Sequence, residues 1–366
     1  MNTGQPQTHL FAAVALSVGF VCAACSGRPV QGVLVPSAES AEGASRVPIL
    51  VATTRTKSSG DAGEMFTGDL AQDESYASIT VSIPPESVRK IGQIQWPTSI
   101  PGDPGRDFVT ASADHLDKQS FNAAISTLAR SAGRSKVLVF VHGYNNRFDE
   151  AVYRLAQIVQ DSKAPVVPVL FSWPSRGLLS LQAYKDDLEN AHQSRGALKQ
   201  LLEMIALNGN VKEVTVLCHS MGCWPTLDAL RPKDKVKNML LVAPDVDIDV
   251  FHKEIHQIGH PRPRIALFVS QDDHALMLSK SIWGGKARLG DVNLHYEPYR
   301  KAFEREGILV FDLTHLEGNA HSRAFENVTS VMGMIEQRLA EGQQMTESVQ
   351  TPDGTSRSIS ANRIAN

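Results

Sequence analysis

The stretch VTVLCHSMGCW, residues 214–224, combines a β-branched run with a serine that stands between His219 and Met221. The run predicts a strand, and a helix is predicted to follow from Met221. Gly222 supplies the small residue that a sharp strand-to-helix turn needs two places after the serine, and Cys218 stands two places before it. The stretch therefore predicts an α/β fold with Ser220 raised above the end of a strand.

Strands and helices alternate on both sides of this turn. Helices are predicted within Phe108–Arg130 and at Phe148–Gln160, Tyr184–Leu207, Met221–Leu230 and Ser322–Leu339. Strands are predicted at Val47–Arg55, Tyr76–Ile83, Lys136–Val141, Val166–Phe171, Glu213–Leu217, Met239–Val242, Ile265–Val269 and Ile308–Phe311. This alternation indicates a mainly parallel central sheet with helices on both faces, whose functional groups lie beyond the carboxyl ends of the strands.

The composition excludes some classes of function. The chain has 366 residues and a formal net charge of -3, so no basic field points to nucleic acid. The sequence contains neither a zinc-ligand spacing nor a Gly-rich phosphate loop, so we expect no metal and no cofactor. Asp245, Asp247 and Asp249 alternate within one predicted loop without a matching histidine, which makes them a weak metal candidate.

The N-terminal segment indicates export. Leu10–Ala24 is an uninterrupted apolar run of signal-peptide length. It ends at Cys25 in a C-A-A-C-S stretch that resembles a bacterial lipobox, so we expect Cys25 to be lipidated; cleavage near Ala23 or Ala24 is the alternative. The predicted organisation is a signal peptide at 1–25, a linker at 26–46, one domain at 47–338 and a disordered tail at 339–366. The predicted location is the periplasm or a membrane-anchored lipoprotein.

A serine hydroxyl needs a general base and an acid that orients the base. In this architecture the chain order is serine, acid, histidine. We assign Ser220 as nucleophile. Chain order leaves the acid open among Asp245, Asp247, Asp272 and Asp273, which follow two predicted strand ends, and the base open between His315 and His321, which follow the last predicted strand.

The oxyanion site is predicted from two backbone N–H groups. One belongs to Met221 at the start of a helix, whose positive end favours a developing anion. The other belongs to Tyr144, in the loop after the predicted strand Lys136–Val141. The neighbouring His142 and His219 are predicted to be structural, with His142 bracing the oxyanion loop through hydrogen bonds.

Several stretches resemble a bacterial family, the alpha/beta hydrolases of unknown function of the esterase/lipase superfamily. They are VFVHGYNNRFDEAVYRLAQI, PVLFSWPSRG, HSMG, LVAPDVDIDVF, SQDDHALMLS and AHSRAF, within about residues 47–338. The resemblance implies an α/β-hydrolase fold and places the late aspartate on Asp273 and the closing histidine on His321. It implies that Cys218 replaces an alanine, and that Arg323-Ala324 replaces an aromatic pair.

These residues predict a serine hydrolase that cleaves a carboxylic ester, or a thioester or amide, through an acyl-enzyme on Ser220. The expected partner is a small-molecule or lipid ester, with membrane attachment through Cys25. The alternatives are a non-catalytic envelope protein that binds a partner on this scaffold, and a cysteine hydrolase that uses Cys218 or Cys223.

Three further features carry open interpretations. Cys218 and Cys223 are predicted to be buried thiols, because a strand end and a helix turn give poor disulfide geometry. Trp173 and Arg176 follow a strand and either line a pocket or serve packing and solvation. The segment Trp283–Lys301 is the best candidate for a pocket cover.

Overall fold

The computed structural model describes residues 30–60, 63–131, 135–230, 235–328, 330–331 and 347–348. The predicted signal peptide with Cys25, the start of the predicted linker and most of the predicted tail lie outside these residues. In the described ranges, no helix has the length and apolar character that a membrane crossing requires.

One sheet organises the molecule, and its strand order is β10-β9-β8-β7-β6-β4-β5-β1-β2-β3. The pairs from β10 through to β5 and β1 are parallel, whereas β1, β2 and β3 form an antiparallel edge. The strands are β1 Ser45–Lys57, β2 Phe66–Ile83, β3 Val109–Leu116, β4 Lys136–Val141, β5 Val166–Ser172, β6 Glu213–His219, β7 Val236–Val242, β8 Arg264–Val269, β9 Leu309–Asp312 and β10 Glu347–Ser348.

Nine helices are described around this sheet. They are α1 Lys118–Arg130, α2 Phe148–Ser162, α3 Leu181–Gln193, α4 Arg195–Leu207, α5 Cys223–Ala229, α6 Ile248–Ile258, α7 His274–Ile282, α8 Glu297–Arg305 and α9 Arg323–Glu326. Asp117, Ser180, Asp247 and Asp273 cap their helices with side-chain oxygens that accept backbone N–H groups.

The central strands are buried on both faces, which produces two layers of core. In β4, Val137, Val139 and Val141 pack on one side while Leu138 and Phe140 pack on the other. Alternate side chains of a strand point to opposite faces, so a continuous apolar run requires cover on both. The predicted fold class, a mainly parallel sheet with helices on both faces, is confirmed.

The structure differs from the sequence-based expectation in several elements. The predicted helix Tyr184–Leu207 is two helices, α3 and α4, which meet at Ser194; its hydroxyl lies 2.8 Å from that of Thr54 and 2.7 Å from the Asn190 carbonyl oxygen. These bonds accompany a break between the two helices that apolar spacing does not reveal. Strand β3 and helices α6, α7 and α8 were not predicted, and most of the predicted helix Ser322–Leu339 lies beyond the described residues.

Candidate active site

Ser220 occupies the sharp turn that the sequence predicts. Strand β6 ends at His219, and Ser220–Gly222 form a single 3-10 turn before α5 begins at Cys223. The backbone φ of Ser220 is 50°, in the left-handed region that non-glycine residues rarely adopt. A strained serine at a strand end is typical of a nucleophile elbow.

Two glycines allow the serine turn to contact the loop after β4. A side-chain carbon at Gly222 would lie 2.1 Å from the carbonyl oxygen of His142. A carbon at Gly143 would lie 2.9 Å from Cβ of Ser220. Both positions therefore require glycine, because a side chain at Gly222 would meet the backbone of His142 and one at Gly143 would meet the side chains of His219 and Ser220. This contact places the predicted oxyanion loop directly beside Ser220.

A disulfide joins Cys218 and Cys223 across the serine turn, which corrects the expectation of two free thiols. That expectation assumed a helix from Met221, with Cys223 one turn along it. The 3-10 turn instead returns Cys223 toward the end of β6, so the two Cα atoms are 5.0 Å apart. This separation lies within the usual disulfide range. Ser220 thus stands inside a ring that Cys218 and Cys223 close.

His321 and Asp273 form a direct pair. Nδ1 of His321 lies 2.7 Å from Oδ2 of Asp273. The other carboxylate oxygen of Asp273 accepts the backbone N–H groups of Ala275 and Leu276 at the start of α7. The Asp273 side chain is fully buried, whereas 24% of the His321 side chain is exposed. The carboxylate is therefore fixed, and the histidine ring reaches the surface of the site.

The environment shifts the pKa values of this pair in opposite directions. Burial alone would lower the pKa of His321, but the charge and the hydrogen bond of Asp273 outweigh it and raise that pKa above its ordinary value. Burial would raise the pKa of Asp273, yet His321 and the two backbone N–H groups hold it below its usual range. The pair therefore favours an ionised aspartate beside a histidine of raised basicity.

The structure also separates the alternative residues from His321. Asp272 accepts two hydrogen bonds of 2.6 Å from Arg323, which hold the pKa of that carboxyl below its usual range. Asp245 accepts from Tyr184 at 2.8 Å and from Ser279 at 2.6 Å. His315 is exposed. Of the predicted acids, Asp273 is the one in contact with His321.

His219 connects the serine turn to the histidine loop. Its Nε2 lies 2.9 Å from the carbonyl oxygen of His321, and the two rings are 4.7 Å apart. Because a carbonyl oxygen only accepts, Nε2 carries the ring proton. Burial, with the charge of His321, lowers the pKa of His219 to about 3, so its ring is neutral. The residue that precedes Ser220 thus holds the backbone of His321.

His142 makes hydrogen bonds within and behind the loop after β4, which is the predicted oxyanion loop. Its Nδ1 donates to the Gly143 carbonyl oxygen at 2.9 Å, and its Nε2 lies 3.0 Å from the hydroxyl of Ser172. Trp173 stacks on the ring and donates to the His142 carbonyl oxygen at 2.8 Å. Burial, followed by the charge of Arg55, lowers the pKa of His142 to about 3. Trp173 is fully buried and packs behind the loop.

Arg55 is a functional candidate that the sequence did not indicate. Its buried guanidinium donates to the carbonyl oxygens of Asn146 at 2.9 Å and Ser175 at 2.7 Å, and contacts His142 at 3.4 Å. Its remaining donors reach the hydroxyl of Ser172 and the carbonyl oxygen of Thr67. Burial lowers its pKa to about 10, which leaves it charged near neutrality. A buried cation therefore contacts the loop after β4 that is predicted to form the oxyanion site.

Two other predicted features lie at the border of the site. Arg176 is about half exposed and pairs with Asp69 at 3.2 Å. Within the predicted cover Trp283–Lys301, Leu289 and Gly290 donate backbone N–H groups to Val246 and Pro244, which attaches this segment to the loop after β7. In the part of the chain that the structure describes, no group of three or more His, Cys, Asp or Glu residues could hold a metal ion.

The chain is similar to one family of proteins and to solved structures of other proteins. A profile of the family described as alpha/beta hydrolase of unknown function (DUF900) matches residues 117–338. The esterase PF2001 of Pyrococcus furiosus is similar at 10% identity and a TM-score of 0.32, over 57% of this chain and 82% of that chain. A proline iminopeptidase-related protein of Thermus thermophilus is similar at 14% identity and a TM-score of 0.27, over 56% of this chain and 89% of that chain. No curated protein matches.

Proposed function

Because the chain belongs to the family of alpha/beta hydrolases of unknown function, we propose that it is a serine hydrolase that cleaves carboxylic esters. Thioesters and amides are secondary substrates of the same chemistry. Ser220 is the proposed nucleophile, His321 the general base and Asp273 the residue that orients it. No step of this mechanism uses a cofactor.

The observation that carries the proposal is the hydrogen bond between Nδ1 of His321 and the carboxylate of Asp273. A carboxylate on Nδ1 fixes the ring proton there and leaves the lone pair on Nε2. His219 binds the backbone carbonyl of His321, and the two histidine rings are 4.7 Å apart, so the His321 loop lies against the residue that precedes Ser220. Ser220, Asp273 and His321 follow the ends of β6, β8 and β9, and this arrangement supports the proposed roles.

The reaction follows from these groups. The hydroxyl of Ser220 attacks the ester carbonyl carbon while Nε2 of His321 takes its proton. The backbone N–H groups of Tyr144 and Met221 stabilise the negative oxygen of the tetrahedral intermediate. The carbon–oxygen bond to the alcohol breaks, and His321 returns the proton to the departing alkoxide. Water then attacks the acyl-enzyme by the same route and releases the acid.

The substitution Ser220→Ala tests this proposal on acyl esters of graded chain length. The variant should lose turnover by about 10⁴ to 10⁶ because it removes the attacking oxygen. Thr226→Ser, a buried hydroxyl change in α5, is the matched control and should keep turnover within severalfold. Near-full ester hydrolysis by Ser220→Ala would exclude this site, and no hydrolysis of any ester by the folded wild type would favour the binding-protein alternative.

The proposed setting is the cell envelope. The apolar run Leu10–Ala24 and the lipobox-like stretch at Cys25 support export followed by lipid attachment. The proposed partner is accordingly a small-molecule or lipid ester that reaches a hydrolase at a membrane or in the periplasm.

A further inference from the structure

Large apolar side chains are exposed around the candidate active site. The described chain has twelve exposed large apolar side chains, and six of them belong to two short segments. One segment is the loop between β5 and α3 together with the start of α3, and the other is α7 together with the residue after it. We call these six residues the apolar rim; they are Leu178, Leu179, Leu181, Met277, Leu278 and Trp283, each between 39% and 56% exposed.

The two halves of the apolar rim meet, and both border the site. Trp283 donates from its indole nitrogen to the hydroxyl of Tyr184 in α3 at 3.1 Å. That hydroxyl also lies 3.1 Å from the hydroxyl of Ser279 in α7. On one side, the hydroxyl of Tyr144 lies 2.9 Å from the Leu178 carbonyl oxygen. On the other side, α7 begins directly after Asp273.

Basic side chains lie in the two segments that carry the apolar rim. The segments 174–185 and 274–288 contain no Asp or Glu and five Lys or Arg residues, although the whole chain has a net charge of -3. Arg288 is buried beside Asp245, and the other four are at least partly exposed in the same two segments as the rim: Arg176, Lys185, Lys280 and Lys286. Arg176 and Lys286 also reach one carboxylate each, at 3.2 Å and 3.7 Å.

We propose that the apolar rim docks on an anionic phospholipid surface and delivers lipid esters from that surface to Ser220. This proposal rests on the proposed hydrolase function and specifies its substrate class. Exposed Leu, Met and Trp side chains with basic neighbours fit the boundary between acyl chains and anionic headgroups. A protein bound on the rim would obstruct the site that the rim borders, whereas a lipid surface supplies the substrate.

The start of the described chain lies on the same side of the molecule. Gln31, Gly32 and Arg176 line one cavity of about 500 Å³, and Arg176 is two residues from Leu178. Cys25 is five residues before Val30, a reach of at most about 17 Å. A lipid on Cys25 and the apolar rim would therefore meet the same surface.

Fluorescence of Trp283 tests the proposal without any use of activity. The full chain is mixed with vesicles of phosphatidylcholine and phosphatidylglycerol whose acyl chains carry bromine, and tryptophan quenching is recorded. The wild type should be quenched, and Trp283→Phe should lose that quenching. The paired change Leu178→Ser and Leu179→Ser should raise the lipid concentration for half-maximal quenching by about tenfold or more, since two leucines that would be buried in the lipid are lost from the contact.

Leu207→Ser is the matched control, because Leu207 is 85% exposed at the end of α4, ahead of the amino end of β6. It should behave as the wild type does. Absence of quenching in the wild type would overturn the proposal, and fluorophosphonate labelling of Ser220 in the same sample would show that the hydrolase function stands. A dimer in sedimentation equilibrium that the paired leucine change dissociates, without quenching by vesicles, would assign the rim to a second copy and also overturn the proposal.

Discussion

Three aspartates near the candidate site differ in their partners, and those partners decide their chemistry. Asp273 holds His321, Asp272 holds Arg323, and Asp245 accepts from Tyr184 and Ser279. Asp272 and Asp273 are adjacent in sequence, so chain order alone could not separate them. The direction of each side chain at the start of α7 does so, because Asp273 caps that helix and is buried.

We predict that Asp273→Asn lowers kcat/KM for an ester by about 10³ to 10⁴ and moves its pH dependence. In the wild type, activity should rise with pH through the raised pKa of His321, since only the neutral ring accepts a proton. In Asp273→Asn the carboxylate charge is lost, and burial then lowers the pKa of His321. The rise of activity with pH, the acid limb of the profile, should therefore move to lower pH. A pH–rate profile measures this.

The control for that experiment is Asp272→Asn, which alters the neighbouring carboxylate without contact to His321. It should keep the acid limb of the wild type. An acid limb that moves in Asp272→Asn and stays in place in Asp273→Asn would reverse the assignment of the two residues.

Arg55 provides a second prediction for a single residue. Its buried charge contacts the proposed oxyanion loop, where a cation would favour a developing anion. Arg55→Gln should lower kcat about 10²-fold with little change in KM, and Arg55→Lys should recover part of the loss because it keeps the charge. Steady-state kinetics of the folded variants measures this, with the exposed Arg176→Gln as control. Equal kcat for Arg55→Gln and the wild type would remove Arg55 from the mechanism.

At the scale of the structural element, the serine turn differs from the expectation because Cys218 and Cys223 form a disulfide around it. A short ring closed by Cys218–Cys223 restricts the unfolded chain, which stabilises the fold by about 2 kcal/mol in the chain-entropy account. We predict that the paired change Cys218→Ala and Cys223→Ala lowers the free energy of unfolding by that amount. It should keep activity within about tenfold, because Gly143 and Gly222 still fix the contact of the two loops.

Denaturant unfolding with and without a thiol reductant measures this effect. The reductant should destabilise the wild type and leave the paired alanine variant unchanged. An equal response of both proteins would mean that the ring is not closed in solution.

Elements with a strong local pattern were predictable from the sequence. Lys136–Val141 was predicted with the bounds that the structure shows, because a fully buried strand is a continuous apolar run. Strand β3 carries the mixed sequence VTASADHL on an antiparallel edge and was missed. The break at Ser194 depends on its contact with Thr54, 140 residues away, which no local pattern contains.

In the candidate site, too, residues within local motifs were predictable from the sequence, whereas a residue whose partners are distant in sequence was not. Ser220, His321 and Asp273 were identified from motifs that follow strand ends, and the structure brings His321 and Asp273 into contact and joins the histidine loop to the serine turn. Arg55 lies in a β-branched strand near the N-terminus, where its charge gave no sign of a role. Its partners come from separate segments of the chain, so only the fold reveals it.

At the scale of the whole molecule, the antiparallel edge adds to the family's core. The family profile covers residues 117–338, whereas β1, β2 and β3 precede that range. Strand β1 nevertheless pairs with β5 and provides Arg55, which contacts the proposed oxyanion loop. The N-terminal strands therefore contribute to the candidate site as well as to the sheet.

The proposed lipid attachment at Cys25 gives a further prediction at the scale of the whole chain. Cys25→Ser should prevent lipid attachment, so the protein should move from the detergent phase to the aqueous phase in a detergent partition. Ser26→Ala changes the next residue and should leave the partition unaltered. Mass spectrometry of the N-terminal peptide would identify the lipid, and equal partition of both variants would contradict lipid attachment at Cys25.

The central claim is that Ser220 is an activated nucleophile. Intact-mass analysis and peptide mapping after treatment with a fluorophosphonate probe test it most directly. We predict one adduct, located on Ser220, that forms much more slowly in His321→Ala and is absent in Ser220→Ala. A folded wild-type protein that takes up no probe, or that takes it up at another residue, would contradict the account.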